Sequence, residues 1–228
     1  MARYIFALIF GAVGVGILVA LGSWQMDRLA WKEGILADIE ARIAADPVAL
    51  PDDPDPEADR YLPVRVSGRL GDRALRVLVS QKQVGAGYRV ISPLDTESGR
   101  RILLDRGFIK VSEDIPASPE GVVTITGNLH WPEDRNDSTP ENDVADNTWF
   151  ARDLGQMAGV LETEPLMVVA REVSFSDAPV TPLPVDTGGI PNDHLEYAVT
   201  WYSLAAIWAA MTGYLLWRTR KTEKGDTA

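Results

Sequence analysis

Residues 4–26 read YIFALIFGAVGVGILVALGSWQM and contain no charged side chain. Residues 197–217 read YAVTWYSLAAIWAAMTGYLLW and are uncharged as well. At about 1.5 Å per helical residue, each run reaches roughly 30 Å, the thickness of the hydrocarbon layer of a bilayer. Each run also ends in aromatic residues, which favour the membrane interface. The sequence therefore predicts a membrane protein with transmembrane helices over 4–26 and 197–217.

Basic residues near the second predicted transmembrane helix set the expected orientation. The tail over 218–228 is basic and contains Arg218, Arg220, Lys221 and Lys224. The twenty residues before that helix contain no Lys or Arg. Because cytoplasmic segments carry an excess of Lys and Arg, both termini are expected to be cytoplasmic. The loop over 27–196 would then lie in the periplasm of a cell with an inner membrane, or on the equivalent side of the mitochondrial inner membrane in a eukaryote.

The first uncharged run has one alternative interpretation, a cleaved signal peptide. Ala20-Leu21-Gly22 would be its cleavage site, and it fits the small-residue pattern poorly. The run is also long for a signal peptide and only weakly basic at its start. These features favour a retained transmembrane helix.

Composition excludes several classes of function. The chain has 33 acidic residues against 22 Lys and Arg, a formal charge of -11, so a nucleic-acid partner held by its phosphates is not expected. Cysteine is absent, which excludes disulfides, thiol nucleophiles and iron-sulfur clusters. The sequence also contains no G-x-S-x-G, H-E-x-x-H or P-loop motif. We therefore predict no catalytic residues and no enzymatic activity.

The loop between the two spans divides into three predicted segments. Residues 27–60 begin with apolar residues at helical spacing and continue into a stretch with four prolines and many acids, which predicts a helical extension followed by a linker. Residues 61–176 show the patterning of a mainly β domain. Residues 177–196 are rich in Pro and Gly and predict a connector to the second span.

Alternating apolar and polar residues predict the strands of this domain. The predicted strands cover 62–67, 75–80, 88–94, 101–111, 122–129, 148–152 and 166–173. One short helix is predicted over 153–161, and Gly85-Ala86-Gly87 is expected to form a hairpin turn. Because long crossover helices are missing between most strands, we expect a mainly antiparallel barrel or sandwich. The predicted fold class is an α+β membrane protein, with a transmembrane helix on each side of this domain.

The two histidines differ in their surroundings. His130 ends a predicted strand and is expected to be solvent-exposed or locally bonded, whereas His194 lies three residues before the second span. Helical spacing places Tyr197 and Trp201 on roughly the same face as His194. At the exit of the first span, the same spacing aligns Trp24, Arg28 and Trp31. If the helices are neighbours, a flat apolar macrocycle would fit between them, with His194 on the iron and Arg28 near a propionate. The alternative is an ordinary belt of interfacial aromatic residues.

Small residues recur every four positions in both spans and predict where the helices meet. The proposed stripes are Ala12, Gly16 and Ala20 on the first span and Ala205, Ala209 and Gly213 on the second. Helices associate in lipid by close packing, so these stripes are expected to face each other.

Five separated motifs resemble the surfeit locus protein 1 family, membrane assembly factors for haem-copper cytochrome c oxidase. They are LGSWQMDRLAWK (21–32), GYRVISPL (87–94), LLDRGFIK (103–110), NTWFARDLGQMA (147–158) and PNDHLEYAVTWYSLA (191–205). The resemblance runs nearly end to end and in order. Two departures stand out, because Asp105 and Phe108 replace the usual Asn and Trp of the family's N-R-G-W element.

The resemblance implies a role in making the catalytic subunit of the oxidase, by holding haem a or easing its insertion. Haem a is thus the expected cofactor. The catalytic subunit and the haem a synthase are the expected partners, within a lipid bilayer. On the family pattern His194 matches the position of the proposed haem ligand, which would make it the axial metal ligand. The expected cofactor-binding residues are His194, Trp24, Arg28, Trp31, Tyr197 and Trp201.

The sequence leaves two other hypotheses about function open. The first is a non-haem scaffold that grips an oxidase subunit or the haem synthase through its β domain, with Asn147, Trp149, Arg152 and Asp153 as contact residues. An internal turn and helix cap beside a buried Trp would explain the same four residues. The second is a membrane enzyme acting on haem or lipid, for which no nucleophile or redox centre is recognisable.

Overall fold

The computed structural model describes residues 2–81 and 84–225, and side chains over 4–81 and 84–221. The chain divides into two compact units. The helical unit joins the chain up to Asp38 with the chain from Gly188 onward, and the sheet unit is Ile39–Thr187. The helices of the described chain are α1 (Ala2–Ala44), α2 (Leu154–Leu161) and α3 (His194–Gly225).

The terminal helices α1 and α3 are long and apolar enough to cross a membrane. Their large apolar side chains point outward: Phe6 is 70% exposed and Met211 is 67% exposed. The long core helix of a soluble protein would instead bury such side chains. The prediction of an apolar helix at each end of the chain is confirmed. The helical extension is also present, because α1 continues without a break to Ala44.

The predicted seam between α1 and α3 is wrong. Of the six small residues proposed to line it, Ala205 is buried, whereas the other five are exposed. Glycines at other positions on α1 face large side chains of α3 instead. An added Cβ at Gly14 would lie 2.4 Å from the indole nitrogen of Trp208, and one at Gly22 would lie 2.8 Å from the ring of Tyr202. The helices therefore meet where glycine makes room for an aromatic ring.

The sheet unit contains one mixed sheet, which has eight strands within the described residues. The strands are β1 (Val48–Ala49), β2 (Pro63–Leu70), β3 (Leu75–Gln81), β4 (Gly85–Thr96), β5 (Arg101–Lys110), β6 (Val123–His130), β7 (Thr148–Trp149) and β8 (Met167–Val173). Their order in the sheet is β1-β2-β6-β8-β5-β4-β3-β7, with a further short pairing between β2 and β4.

The prediction of a barrel or sandwich is corrected to this single mixed sheet. Three pairs, β1–β2, β3–β7 and β5–β8, run parallel, while the other described pairs run antiparallel. Parallel pairing needs a connection of about a dozen residues or more. For β5 and β8 that connection is residues 111–166, which contain β6, β7 and α2. The paired strands are therefore distant in sequence, and local residue spacing did not predict that they pair.

Two local predictions also change. Gly85-Ala86-Gly87 does not form the hairpin turn but opens β4, paired with Val79–Gln81 of β3. Gly87 is needed there, because a Cβ would lie 2.3 Å from the carbonyl oxygen of Ile109 on β5. The strand predicted over 148–152 is shortened to β7, because the chain turns toward α2 after Trp149.

Both faces of the sheet are covered by apolar side chains. On β5, Ile102 and Leu104 join one buried cluster and Leu103 joins the other, as expected when successive side chains alternate between faces. The second cluster includes Met157 and Leu161 of α2. The predicted helix over 153–161 is confirmed, so β5 is a central strand buried on both sides.

Candidate functional site

His194 is the first residue of α3 and is tied to α1. Its Nδ1 lies 2.7 Å from the Oε1 atom of Gln25. Gln25 is 9% exposed, and the His194 ring is partly buried. None of the described hydrogen bonds involves the Nε2 atom of His194. The ring is therefore held by one nitrogen, and the other has no partner among the described residues.

The aromatic residues predicted around His194 lie mostly on the surface of the helical unit. Trp24, Trp31 and Tyr197 are each more than half exposed, while Trp201 is partly buried. Among the described side chains, no ring of these four stacks on another. They form no closed pocket by ring contacts, and they offer apolar faces to lipid or to a flat ligand.

Arg28 lies on α1 between Trp24 and Trp31 in the sequence. Its guanidinium carbon is 4.2 Å from the centre of the Trp31 ring, a cation–π contact. No described ion pair includes Arg28. The guanidinium can therefore accept a carboxylate partner without breaking an ion pair seen here.

These residues fit a haem group in their chemistry. An imidazole nitrogen without a described partner is a common axial ligand of haem iron. Exposed indole and phenol rings match an apolar macrocycle, and an arginine matches a propionate. Within the described residues there is no group of three or more His, Asp or Glu side chains placed to hold a bare metal ion.

The four residues considered for a scaffold contact turn out to be bonded within the sheet unit. Asn147 has a positive φ of 51°, and its amide donates to the carbonyl of Ala74 at 2.9 Å. The indole N–H of the fully buried Trp149 donates to the Asn147 side-chain oxygen at 3.2 Å. Asp153 caps α2 by accepting from the backbone N–H of Gln156. This arrangement matches the internal turn and cap.

Arg152, the fourth of these residues, belongs to a network of charges around the buried Asp105 that the sequence did not reveal. It donates to Asp134 at 2.6 Å and lies 3.6 Å from Asp105. Asp105 is fully buried on β5 and accepts from Arg89 at 2.6 Å and from the backbone N–H of Gly107 at 3.1 Å. Burial raises the pKa of Asp105, whereas Arg89 and Arg152 oppose this rise. Asp105, a departure from the family pattern, is thus matched by two arginines.

A second buried ion pair lies beside this network. Arg106 is 1% exposed, and its Nε donates to Asp177 at 3.0 Å, with a second bond from Nη2 to the same carboxylate. Such a pair satisfies both buried charges through a bidentate contact. The one signal in the sequence is the Asp-Arg dipeptide inside an otherwise apolar strand.

His130 is more enclosed than expected. Its ring stacks on Tyr61 with centres 5.8 Å apart, and its Nδ1 is buried without a hydrogen-bond partner in the described chain. Burial lowers the pKa of His130 from its ordinary 6.5 to about 4, and the nearby positive charge of Arg152 adds to this effect. His130 is therefore neutral at physiological pH.

A surface cavity of about 330 Å³ lies in the sheet unit between β5 and the segment after Asp177. Its lining includes the apolar side chains of Phe108, Pro182 and Leu183 and the charged side chains of Lys110 and Glu113. None of the residues predicted to bind haem lines this cavity.

The fold and these residues define a chain with an apolar helix at each end, a mixed-sheet unit in the intervening chain, and one histidine presented at the start of the last helix. The model of the SURF1 family matches residues 12–206. Surfeit locus protein 1 of Homo sapiens is 33% identical over 211 residues, which are 82% of this chain and 69% of that protein. The SURF1-like protein of Monosiga brevicollis is 31% identical over 227 residues, 87% of this chain and 83% of that protein. The chain belongs to the SURF1 family.

Proposed function

We propose that this protein is an assembly factor for haem-copper cytochrome c oxidase, which binds haem a through His194 and aids its insertion into the catalytic subunit. The observation that carries the haem-binding part is the presentation of His194. Its ring is held through Nδ1 at the start of α3, within a motif that resembles the family's haem-ligand position. Membership of the SURF1 family supports the assembly role.

Each proposed binding residue has a distinct part in holding the group. His194 would ligate the iron. Trp24, Trp31, Tyr197 and Trp201 would cover the apolar faces of the macrocycle, and burying that area would supply much of the binding free energy. Arg28, already placed on the Trp31 ring, would pair with a propionate. The role is one of binding and transfer, without enzymatic bond cleavage.

The same helices support a membrane location. α1 and α3 would anchor the protein in the cell inner membrane, or in the mitochondrial inner membrane of a eukaryote. The basic cluster after Trp217 supports cytoplasmic termini and a periplasmic sheet unit. A site at the start of α3 would then lie at the periplasmic surface of the inner membrane, where haem a and the oxidase subunit are both accessible through the bilayer.

The test is purification of the full chain in detergent from cells that make haem a. We expect a Soret band from the unmodified protein, and its shift or loss in His194→Ala at unchanged protein level. His130→Ala is the matched control, because it removes the other histidine of the chain and is expected to leave the spectrum unchanged.

Two results would contradict the proposal in different ways. An unchanged spectrum in His194→Ala, with haem still present, would refute ligation. Absence of haem from a protein that supports oxidase assembly would favour the alternative function. That alternative is a non-haem scaffold that binds the catalytic subunit or the haem a synthase through protein contacts.

A further inference from the structure

Gln25 is a polar side chain almost fully enclosed on α1, whose other buried residues among those with described side chains are Gly11 and Gly22. Burying an amide without a hydrogen bond costs about 1–3 kcal/mol on the scale of protein mutations, so the partner of Gln25 matters. That partner is His194, 169 positions later in the chain. The Gln25–His194 bond therefore joins α1 to the first residue of α3.

The chemistry of the two groups determines where the imidazole proton is. A carboxamide oxygen accepts hydrogen bonds and does not donate, so Nδ1 of His194 must carry the hydrogen in a contact with Oε1 of Gln25. A neutral imidazole carries only one such hydrogen. In the neutral ring Nε2 therefore carries no hydrogen and has its lone pair available, which is the form that binds a metal.

We infer that Gln25 is a positioning residue that fixes His194 as the Nδ1–H tautomer and presents Nε2 to the iron of the haem. The part of this inference that names haem as the ligand rests on the proposed function. The part that assigns the tautomer rests on the Gln25–His194 contact alone. A hydrogen bond of this kind orients the ring and makes the ligating nitrogen more basic. Neither α1 nor α3 alone can present the ligand in this way, because each helix supplies one half of the bond.

A neighbouring contact supplies the control for helix pairing. The Ser23 hydroxyl lies 3.2 Å from the Tyr202 hydroxyl, also between α1 and α3. Ser23→Ala removes a hydrogen bond between the same two helices, two residues from Gln25, without touching His194. If a Gln25 variant affected His194 only by weakening the contact between α1 and α3, its effect would resemble that of Ser23→Ala.

The first experiment uses the full chain in detergent, without haem, labelled with ¹⁵N in histidine. The chain has two histidines, and His130→Ala assigns the signals of His194. We expect the His194 nitrogens to show protonated Nδ1 and unprotonated Nε2. Gln25→Leu, which lacks an acceptor, should lose this preference, while Gln25→Glu, which keeps an oxygen, and Ser23→Ala should retain it. Protonated Nε2 in the unmodified chain, or an unchanged preference in Gln25→Leu, would overturn the inference.

The second experiment titrates the same variants with haem a. Loss of an outer hydrogen bond to a metal ligand typically weakens binding by about 10–100-fold, and we expect a loss of this size in Gln25→Leu. The iron–imidazole stretching frequency of the reduced complex should fall in Gln25→Leu and stay near the original value in Ser23→Ala. Equal affinity and equal frequency in Gln25→Leu would overturn the inference. An unmodified chain that shows the Nδ1–H tautomer but binds no haem a would overturn the proposed function alone.

Discussion

The helical unit and the sheet unit treat apolar and charged side chains differently. In the helical unit, Phe6 and Met211 face outward, and the contacts between α1 and α3 rely on glycines set against rings. In the sheet unit, apolar side chains are inside, and Asp105 and Arg106 are buried with ionic partners. Exposing apolar side chains costs little free energy in lipid, whereas in water the cost of exposing them is the main force that drives folding. Burial in the sheet unit thus follows hydrophobicity, and contact in the helical unit follows shape.

The largest expected effect comes from breaking the buried pair in the sheet unit. Asp177→Ala would leave the guanidinium of Arg106 buried without a counter-charge, and we expect the free energy of unfolding to fall by about 3–5 kcal/mol. Urea unfolding of the full chain in detergent measures this.

Two controls sharpen the result. Glu141→Ala removes the partner of Arg135 in an exposed pair, where the expected loss is below about 1 kcal/mol. The double change Arg106→Met with Asp177→Leu should recover most of the stability, because it removes both charges together. A loss in Asp177→Ala no larger than in Glu141→Ala would show that the pair is not as enclosed as described.

The next effect is a dependence of stability on pH. In the unfolded chain His130 takes up a proton as the pH falls below 6.5, whereas in the folded chain it stays neutral down to about 4. The unfolded state therefore binds more protons in this window, and stability falls with decreasing pH by up to about 3 kcal/mol. His130→Phe, which keeps a ring against Tyr61, should lack this part of the slope between pH 6.5 and 4.

Denaturant unfolding at a series of pH values compares the two proteins. Carboxylates titrate in part of the same pH range. The contribution of His130 is therefore the difference in the free energy of unfolding between the original protein and His130→Phe at each pH. Parallel curves would mean that the imidazole is not enclosed in the folded chain.

A smaller effect is expected at the seam of the helical unit. Gly14→Val would place side-chain atoms against the Trp208 ring and should weaken helix pairing by about 1–3 kcal/mol, the usual cost of overpacking. Gly16→Val is the matched control, because no atom outside the adjacent residues and the nearby backbone of α1 lies within 4 Å of a Cβ at Gly16. The stability of the sheet unit should not change in either variant.

Crosslinking between introduced cysteines reports the pairing. A Cβ at Gly11 would lie 2.9 Å from the Cβ of Thr212, and a disulfide joins Cβ atoms about 3.5–4.5 Å apart, so Gly11→Cys with Thr212→Cys should crosslink after a small separation of the two helices. The chain has no other cysteine. We expect crosslinking to fall in Gly14→Val and to persist in Gly16→Val. The reverse order would support the stripe of small residues that includes Gly16.

The smallest effect is expected at the start of α2. Asp153→Ala removes the oxygen that accepts from the backbone N–H of Gln156, at an expected cost of about 1 kcal/mol. Asp153→Asn keeps an acceptor and should cost less. Urea unfolding of the full chain separates the two variants, and equal losses would show that the cap is not what Asp153 contributes.

Much of the fold follows from local patterns in the sequence. Uncharged runs of the length of a bilayer predicted α1 and α3, and alternating residues predicted the strands, because both depend on neighbours within one element. Pairings between distant strands did not follow. The parallel pair of β5 and β8 brings Leu103 beside Met167, and no local signal links these residues.

The candidate site divides in the same way. His194 was proposed because it lies at the start of an apolar helix and matches the position of the family's proposed haem ligand. Gln25 was missed, although it lies in the W-Q-M part of a motif already noted, because its importance depends on a partner 169 residues away. The exposure of Trp24 and Trp31 could not be predicted from the sequence either. Helical spacing shows that two residues share a face of the helix, but it does not show whether that face is covered.

The sequence by itself determined the two apolar terminal helices, most strand positions, the Asp153 cap of α2 and the position of His194 before the second span. These features arise from composition and spacing within a single element. Only the tertiary structure decided that Gly14 and Gly22 form the seam, that Asp105 is held by Arg89 and Arg152, and that Gln25 holds His194. The reason is that each of these contacts depends on the rotation and register of one element against another, which are set by packing over the whole unit.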